Sequence, residues 1–298
     1  MKAKIKIKTP KEFDFEECLR FLARSEKECL HLIKGQSLWK LMEGEEKPIL
    51  LKITEEKEGE LVIHFPQGKM PKKSQNIAKD YVIDWLDLKS DLSVFYKVAK
   101  KDAILRPLAK RFYGLRLIGL PNFFEALSWA IIGQQINLNF AYTLKARLIE
   151  NYGSTLEWEN EKYFLFPEPS TIAKLTTAEL RVFQFSQRKA EYLIGLAQKL
   201  EDGSLSKTAL SEMTFEEAKA FLIAIRGIGN WTANYVIMKS LRHPDAFPLE
   251  DVGLHNALKK QLNLDQKPSL DRIKELAESW EGWRAYATFY LWQSLLED

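Results

Sequence analysis

The feature that most limits the fold is a change of hydrophobic rhythm near residue 95. Upstream, short β-type runs at 3–7, 49–53 and 61–65 sit between turns containing Gly and Pro. Downstream, amphipathic patterns of ordinary helix length follow one another and strand signals nearly vanish. Segregated strands and helices make an α+β chain. The pattern predicts a small α+β domain with an antiparallel sheet over 1–95. A larger all-α domain over 96–298 follows, with room for two helical subdomains. In the first part, the segment holding Phe13, Phe15, Leu19, Phe21 and Leu22 reads as a helix, and 55–60 as a charged hairpin tip.

In the second part, helices are expected at 122–134, 138–152, 178–182, 188–200, 215–225, 231–241, 252–262, 270–279 and 283–296. Thr214 with Glu217 forms a capping-box pattern, and Ser186, Ser211 and Ser269 supply further polar starts. There is no fixed-period repeat and no low-complexity tract.

A chain of 298 residues buries sizeable cores without staples. The only cysteines, Cys18 and Cys29, cannot build a disulfide framework or a four-cysteine zinc or iron–sulfur site. No apolar run approaches the roughly 20 residues of a membrane span. A soluble, unprocessed, cytoplasmic protein is expected. The net charge of +3 does not announce a polyanion partner. Locally, however, Lys97, Lys100, Lys101, Arg106, Lys110, Arg111 and Arg116 are opposed by Asp102 alone. Such a segment suits nucleic-acid contact or a solvated helix face.

The most informative stretch runs from Leu222 to Tyr235: helix, tight turn at Gly227-Ile228-Gly229, helix. Two close glycines let the backbone bend and bare the amides that open the next helix, an end that attracts phosphate. By itself the turn equally serves as a compact interhelical link. A dinucleotide-binding reading is poorer, because no strand precedes the turn and the third glycine is absent.

That run, followed by Phe247-Pro248-Leu249-Glu250-Asp251, resembles the helix-hairpin-helix glycosylases. Gly114-Leu115-Arg116 and the segment from Phe124 to Gln135 look like the helix that carries the DNA-intercalating residue in the bacterial DNA-3-methyladenine glycosylase II family. Trp283-Arg284-Ala285-Tyr286-Ala287, ending at Leu291-Trp292, resembles that family's last helix. The likeness spans about residues 110 to 296. It implies a repair enzyme that flips alkylated purines, 3-methyladenine and 7-methylguanine among them, out of duplex DNA and hydrolyses them away to leave an abasic site. The implied partner is double-stranded DNA containing alkylated bases, engaged by a monomer at the nucleoid. No organic cofactor is implied.

Residue by residue, the resemblance makes Asp251 the catalytic carboxylate. An aspartate before an apolar helical pattern is otherwise an N-cap. An ionised carboxylate in a dry pocket stabilises the positive charge that develops on the sugar. Its neighbour Glu250 should point away. Trp231, Tyr235 and Trp292 match the base pocket, where electron-rich rings attract a cationic purine by about 0.5 to 2 kcal/mol each. Trp129 and Trp283 read as core packing. Gly227 and Gly229 would grip phosphate. Gln135, followed by Ile136, stands where relatives place a leucine wedge, so either residue is a candidate. The backbone carbonyls of Ile223, Ile225 and Gly227 would hold a monovalent cation, sodium or potassium.

Bifunctional relatives carry a lysine two residues past the second glycine, where this chain has Trp231, so no lyase step is expected. An 8-oxoguanine-type glycosylase/lyase is disfavoured on that ground. A non-enzymatic hairpin module would need neither Asp251 nor the aromatic set.

Overall fold

The computed structural model describes residues 4–296. Strands β1 (Lys4–Lys8), β2 (His31–Lys34), β3 (Ser37–Met42), β4 (Ile49–Lys57) and β5 (Glu60–His64) form an antiparallel sheet in the order β1-β5-β4-β3-β2. The strand expected at 3–7 begins at Lys4, Ala3 lying outside the described residues. The charged hairpin tip is present between β4 and β5, where Gly59 turns with φ +79°. Helix Phe15–Leu22 is capped by Asp14, whose Oδ1 accepts from Glu17 N at 3.0 Å.

β2 and β3 were not foreseen, and β3 explains why. Pairing sets Leu38 opposite Ile53 and Ile53 opposite Ile63. This face joins the main core, which runs without interruption from the sheet into the helices. The opposite face buries Trp39, Leu41 and Leu50 against Tyr163. A strand covered on both sides loses the alternation that marks it in sequence.

The cover is a hairpin, β6 (Thr155–Trp158) and β7 (Glu161–Phe164), turning through Glu159 and Asn160 at φ +50° and +63°. It is a strand pair within the stretch expected to be helical. So short a hairpin is marginal alone and is stabilised by docking on the sheet.

The helices expected downstream are all present, with ends shifted by at most a few residues. Those nearest the site are Phe123–Ile132, Leu138–Tyr152, Gln187–Glu201, Phe215–Ile223, Val252–Gln261 and Arg284–Gln293. The segment expected at 231–241 is an α-helix, Asn230–Val236, continued by a π-helical turn, Ile237–Leu241. The Thr214–Glu217 capping box forms as expected, and Ser186 and Ser269 cap their helices. Ser211 does not. It lies inside helix Lys207–Glu212, which Ser206 caps, and its hydroxyl donates to Lys207 O.

Arg116 also departs from expectation. It is fully buried, and its guanidinium donates to the carbonyls of Asp87 (2.6 and 2.9 Å), Ser90 (2.5 Å) and Glu12 (2.9 Å). Arg116 is a structural clamp, not part of a surface patch. The remaining basic residues of that segment are exposed on helices Leu92–Lys101 and Leu105–Arg111.

Candidate active site

The hairpin joins helix Phe215–Ile223 to helix Asn230–Val236. Gly227 adopts φ +96°, and a Cβ there would fall 2.5 Å from Tyr192 Cγ, so conformation and packing both demand glycine. Gly229 is different. It is the N-cap at φ −94°, and a Cβ there would meet nothing within 4 Å. No side chain caps this helix, so its first amides are left without a capping partner from the protein's side chains, and the space beside Gly229 is open.

Twenty residues after Trp231, Asp251 sits at the start of helix Val252–Gln261. Its Oδ1 accepts from Leu254 N (2.7 Å) and Trp292 Nε1 (2.7 Å), and its Oδ2 accepts from Trp231 Nε1 (2.8 Å). Asp251 is therefore an N-cap and, at once, the meeting point of two indoles. Gly253 makes room for this: a Cβ there would lie 2.9 Å from Asp251 Oδ1 and 3.2 Å from Trp292 Cδ1. The preceding loop is pinned by Phe247 N to Asn234 Oδ1 (3.0 Å) and by the His255 ring to Leu249 O (2.8 Å). Glu250 is exposed and accepts from Asn230 Nδ2 at 2.7 Å, away from the indoles. Asn230, Asn234 and Gly253 escaped the sequence reading. Only the closeness of Gly253 to Asp251 could have flagged any of them.

The rings of Trp231 and Tyr235 stack at 5.4 Å and 25°, and Tyr235 meets Trp292 at 6.1 Å. Tyr235 is buried, which pushes its hydroxyl pKa up. It also borders a small cavity that Trp129 and Lys145 help to line. Lys145 is held charged there between Glu28 and Glu125, at 3.0 Å from each. Trp129 packs on Tyr142, and Trp283 packs on Phe95 and Tyr286.

Beyond helix Phe123–Ile132 the chain turns through Gln135, which is exposed at φ +54°, a conformation that costs a non-glycine residue energy. Ile136 is half-buried against the core. Gln134, between helix and turn, donates through Nε2 to Gly227 O (2.9 Å) and Thr232 Oγ1 (3.0 Å).

Of the carbonyls expected to hold a cation, that of Gly227 thus accepts from Gln134, and that of Ile225 accepts from Ile228 N at 3.0 Å. Each keeps a second lone pair, and neutral oxygens of this kind suit a hard monovalent ion. Among the described residues, no group of three or more His, Cys, Asp or Glu is placed to hold a metal. No described helix is long and apolar enough to cross a membrane.

Residues 128–282 match the family model of the HhH-GPD superfamily base excision DNA repair proteins, and residues 2–127 match the N-terminal domain of 8-oxoguanine DNA glycosylase. A DNA-3-methyladenine glycosylase of Bacillus subtilis is 42% identical over 98% of this chain and 97% of its own length. DNA-3-methyladenine glycosylase 2 of Escherichia coli is 34% identical over 60% of each chain. Among solved structures, a 3-methyladenine DNA-glycosylase from Archaeoglobus fulgidus superposes with a TM-score of 0.84 at 25% identity, covering 97% of both chains. An apo 8-oxoguanine glycosylase/lyase from Clostridium acetobutylicum superposes at 0.75 and 18% identity, covering 98% of this chain and 96% of its own, a likeness of fold.

Proposed function

This chain belongs to the HhH-GPD superfamily of base excision DNA repair proteins, and we propose from that premise a monofunctional glycosylase that removes alkylated purines from duplex DNA. The observation that carries the reading is the Asp251 carboxylate, fixed between the indoles of Trp231 and Trp292 directly beside the hairpin.

Duplex DNA is held through backbone phosphate at the amides after Gly229. Gln135 enters the stack, and the damaged purine swings against the rings of Trp231, Tyr235 and Trp292. A purine methylated at N3 or N7 is cationic, so the rings favour it, and it leaves with the glycosidic electron pair as a neutral base. Positive charge then develops on the sugar opposite Asp251. The indole and amide donors are neutral, so they orient the carboxylate without cancelling its charge. Water adds to the sugar carbon and releases its proton, leaving an abasic site.

The carbonyls of Ile223, Ile225 and Gly227 are assigned to a sodium or potassium ion, which would add positive charge near the phosphate. The protein acts as a monomer on the nucleoid. The N-terminal match to 8-oxoguanine glycosylase favours a second reading, glycosylase/lyase action, but Trp231 occupies the position of the required amine. The test is incubation with N-methylated duplex DNA and chromatography of what is released. Free 3-methyladenine or 7-methylguanine supports the enzyme. DNA that is bound but chemically unchanged overturns it in favour of a binding module.

A further inference from the structure

Gln134 stands next to the exposed Gln135, but its side chain turns inward to the hairpin. Its Nε2 donates twice, once to the carbonyl of Gly227 and once to the hydroxyl of Thr232. Each acceptor is on a rigid support. Gly227 is braced by the Tyr192 ring, and Thr232 is buried in the first turn of helix Asn230–Val236, beside Trp231. By contrast, the segment that carries Gln134 has just left its helix at Gly133 and is about to enter the positive-φ residue Gln135. A non-glycine residue keeps such a conformation only when its surroundings hold it. A second donor, Lys189 Nζ of helix Gln187–Glu201, binds the last helical carbonyl, that of Ile132, at 2.7 Å.

We propose that Gln134 is a positioning residue that ties the intercalating turn to the phosphate-gripping hairpin, so that backbone contact sets how Gln135 enters the base stack. This rests on the assignment above of Gln135 as wedge and of the hairpin as phosphate grip. The amide acts as a double donor, which defines what can replace it. Gln134→Met keeps length and packing but donates nothing, and Gln134→Glu keeps shape but turns an acceptor towards two acceptors.

The test uses the whole protein and three readouts. These are anisotropy binding to undamaged duplex, fluorescence of 2-aminopurine placed beside an abasic analogue as a report of unstacking, and single-turnover base release from paired and unpaired lesions. Both variants should bind undamaged duplex within about twofold of wild type, because backbone contacts are intact. Both should lose most of the 2-aminopurine signal. Release from a paired lesion should slow by at least about tenfold, while release from an unpaired lesion stays within about threefold, since little stacking then opposes eversion.

Equal slowing on both lesions would make Gln134 a merely structural residue and overturn the proposal. So would Gln134→Glu behaving as wild type, since donation would then be dispensable. If the wild type releases no methylated base, the glycosylase reading falls. The coupling is then decided by 2-aminopurine alone, where unchanged fluorescence in Gln134→Met overturns it.

Discussion

The two hairpin glycines, alike in sequence, should separate cleanly on substitution by alanine. At Gly227 the new methyl would be placed 2.5 to 2.8 Å from ring carbons of Tyr192, and φ of +96° is hostile to any Cβ. Backbone strain of about 1 to 3 kcal/mol and ring displacement of about 1 to 3 kcal/mol give a loss of about 2 to 6 kcal/mol. At about 2 to 4 °C per kcal/mol, Gly227→Ala should melt some 5 to 20 °C lower, irrespective of DNA. At Gly229 no atom lies within 4 Å of the new methyl and φ is ordinary. Alanine is a poorer N-cap than glycine, but it restricts the unfolded chain by about 0.4 to 1 kcal/mol, so stability should barely change. What Gly229→Ala should lose is the approach of phosphate to the helix amides, worth about 0.3 to 1 kcal/mol, or about two- to fivefold in affinity. The loss should be equal for damaged and undamaged duplex, with a shallower salt dependence. Thermal melts and anisotropy titrations at several salt concentrations are the assays. A Gly229→Ala protein that binds undamaged duplex as tightly as wild type at every salt concentration would refute the phosphate-grip reasoning. A Gly227→Ala protein melting with wild type would refute the packing argument.

Gln135→Ala should slow excision from paired duplex far more than from a mismatched site, because unstacking costs a few kcal/mol and least where pairing is lost; equal slowing would move the wedge to Ile136. Borohydride added during turnover should trap no enzyme–DNA adduct, and strands should break only after alkali or heat; a covalent adduct would reveal an amine nucleophile. His31, with its ring at 3.1 Å from Leu22 O, is pushed down to about 4, chiefly by burial and against the pull of Glu28. The unfolded chain therefore binds the proton first as pH falls below about 6.5, and stability should drop by about 2 kcal/mol between pH 7 and 5. Urea titrations should show His31→Gln losing less over that range, and an undiminished loss would assign it to other groups.

The downstream helices were legible because their apolar spacing and polar starts agree, as at Thr214 and Glu217, and such agreement is what short-range physics writes into sequence. β3 was not, because it is buried on both faces, and Lys40 breaks its apolar run yet lies buried near the Trp85 ring. The β6-β7 hairpin escaped because its charges face outward while Leu156 and Tyr163 pack on a sheet more than a hundred residues earlier. In the site, Asp251 and Trp231 could be paired by motif. That Trp292, 41 residues further on, donates to the same carboxylate is a tertiary fact with no local trace. Arg116 makes the same point in reverse: its charge suggested a surface, and distant carbonyls bury it.

Whether the negative charge of Asp251 drives base release is decided by single-turnover release of 3-methyladenine from Asp251→Asn. The structure adds a complication. Asparagine can cap Leu254 and accept from Trp292, but its amide then confronts the Trp231 N–H, donor against donor, at a cost of about 1 to 3 kcal/mol. Combining Asp251→Asn with Trp231→Phe removes the clash, so the pair of variants separates charge from strain, with Trp231→Phe alone as the reference. Both proteins should fold by thermal melt, and Glu250→Gln should stay near wild type. If the charge drives release, its loss slows release by at least about 100-fold in either background. A folded Asp251→Asn protein releasing 3-methyladenine within about threefold of the wild-type rate would contradict it.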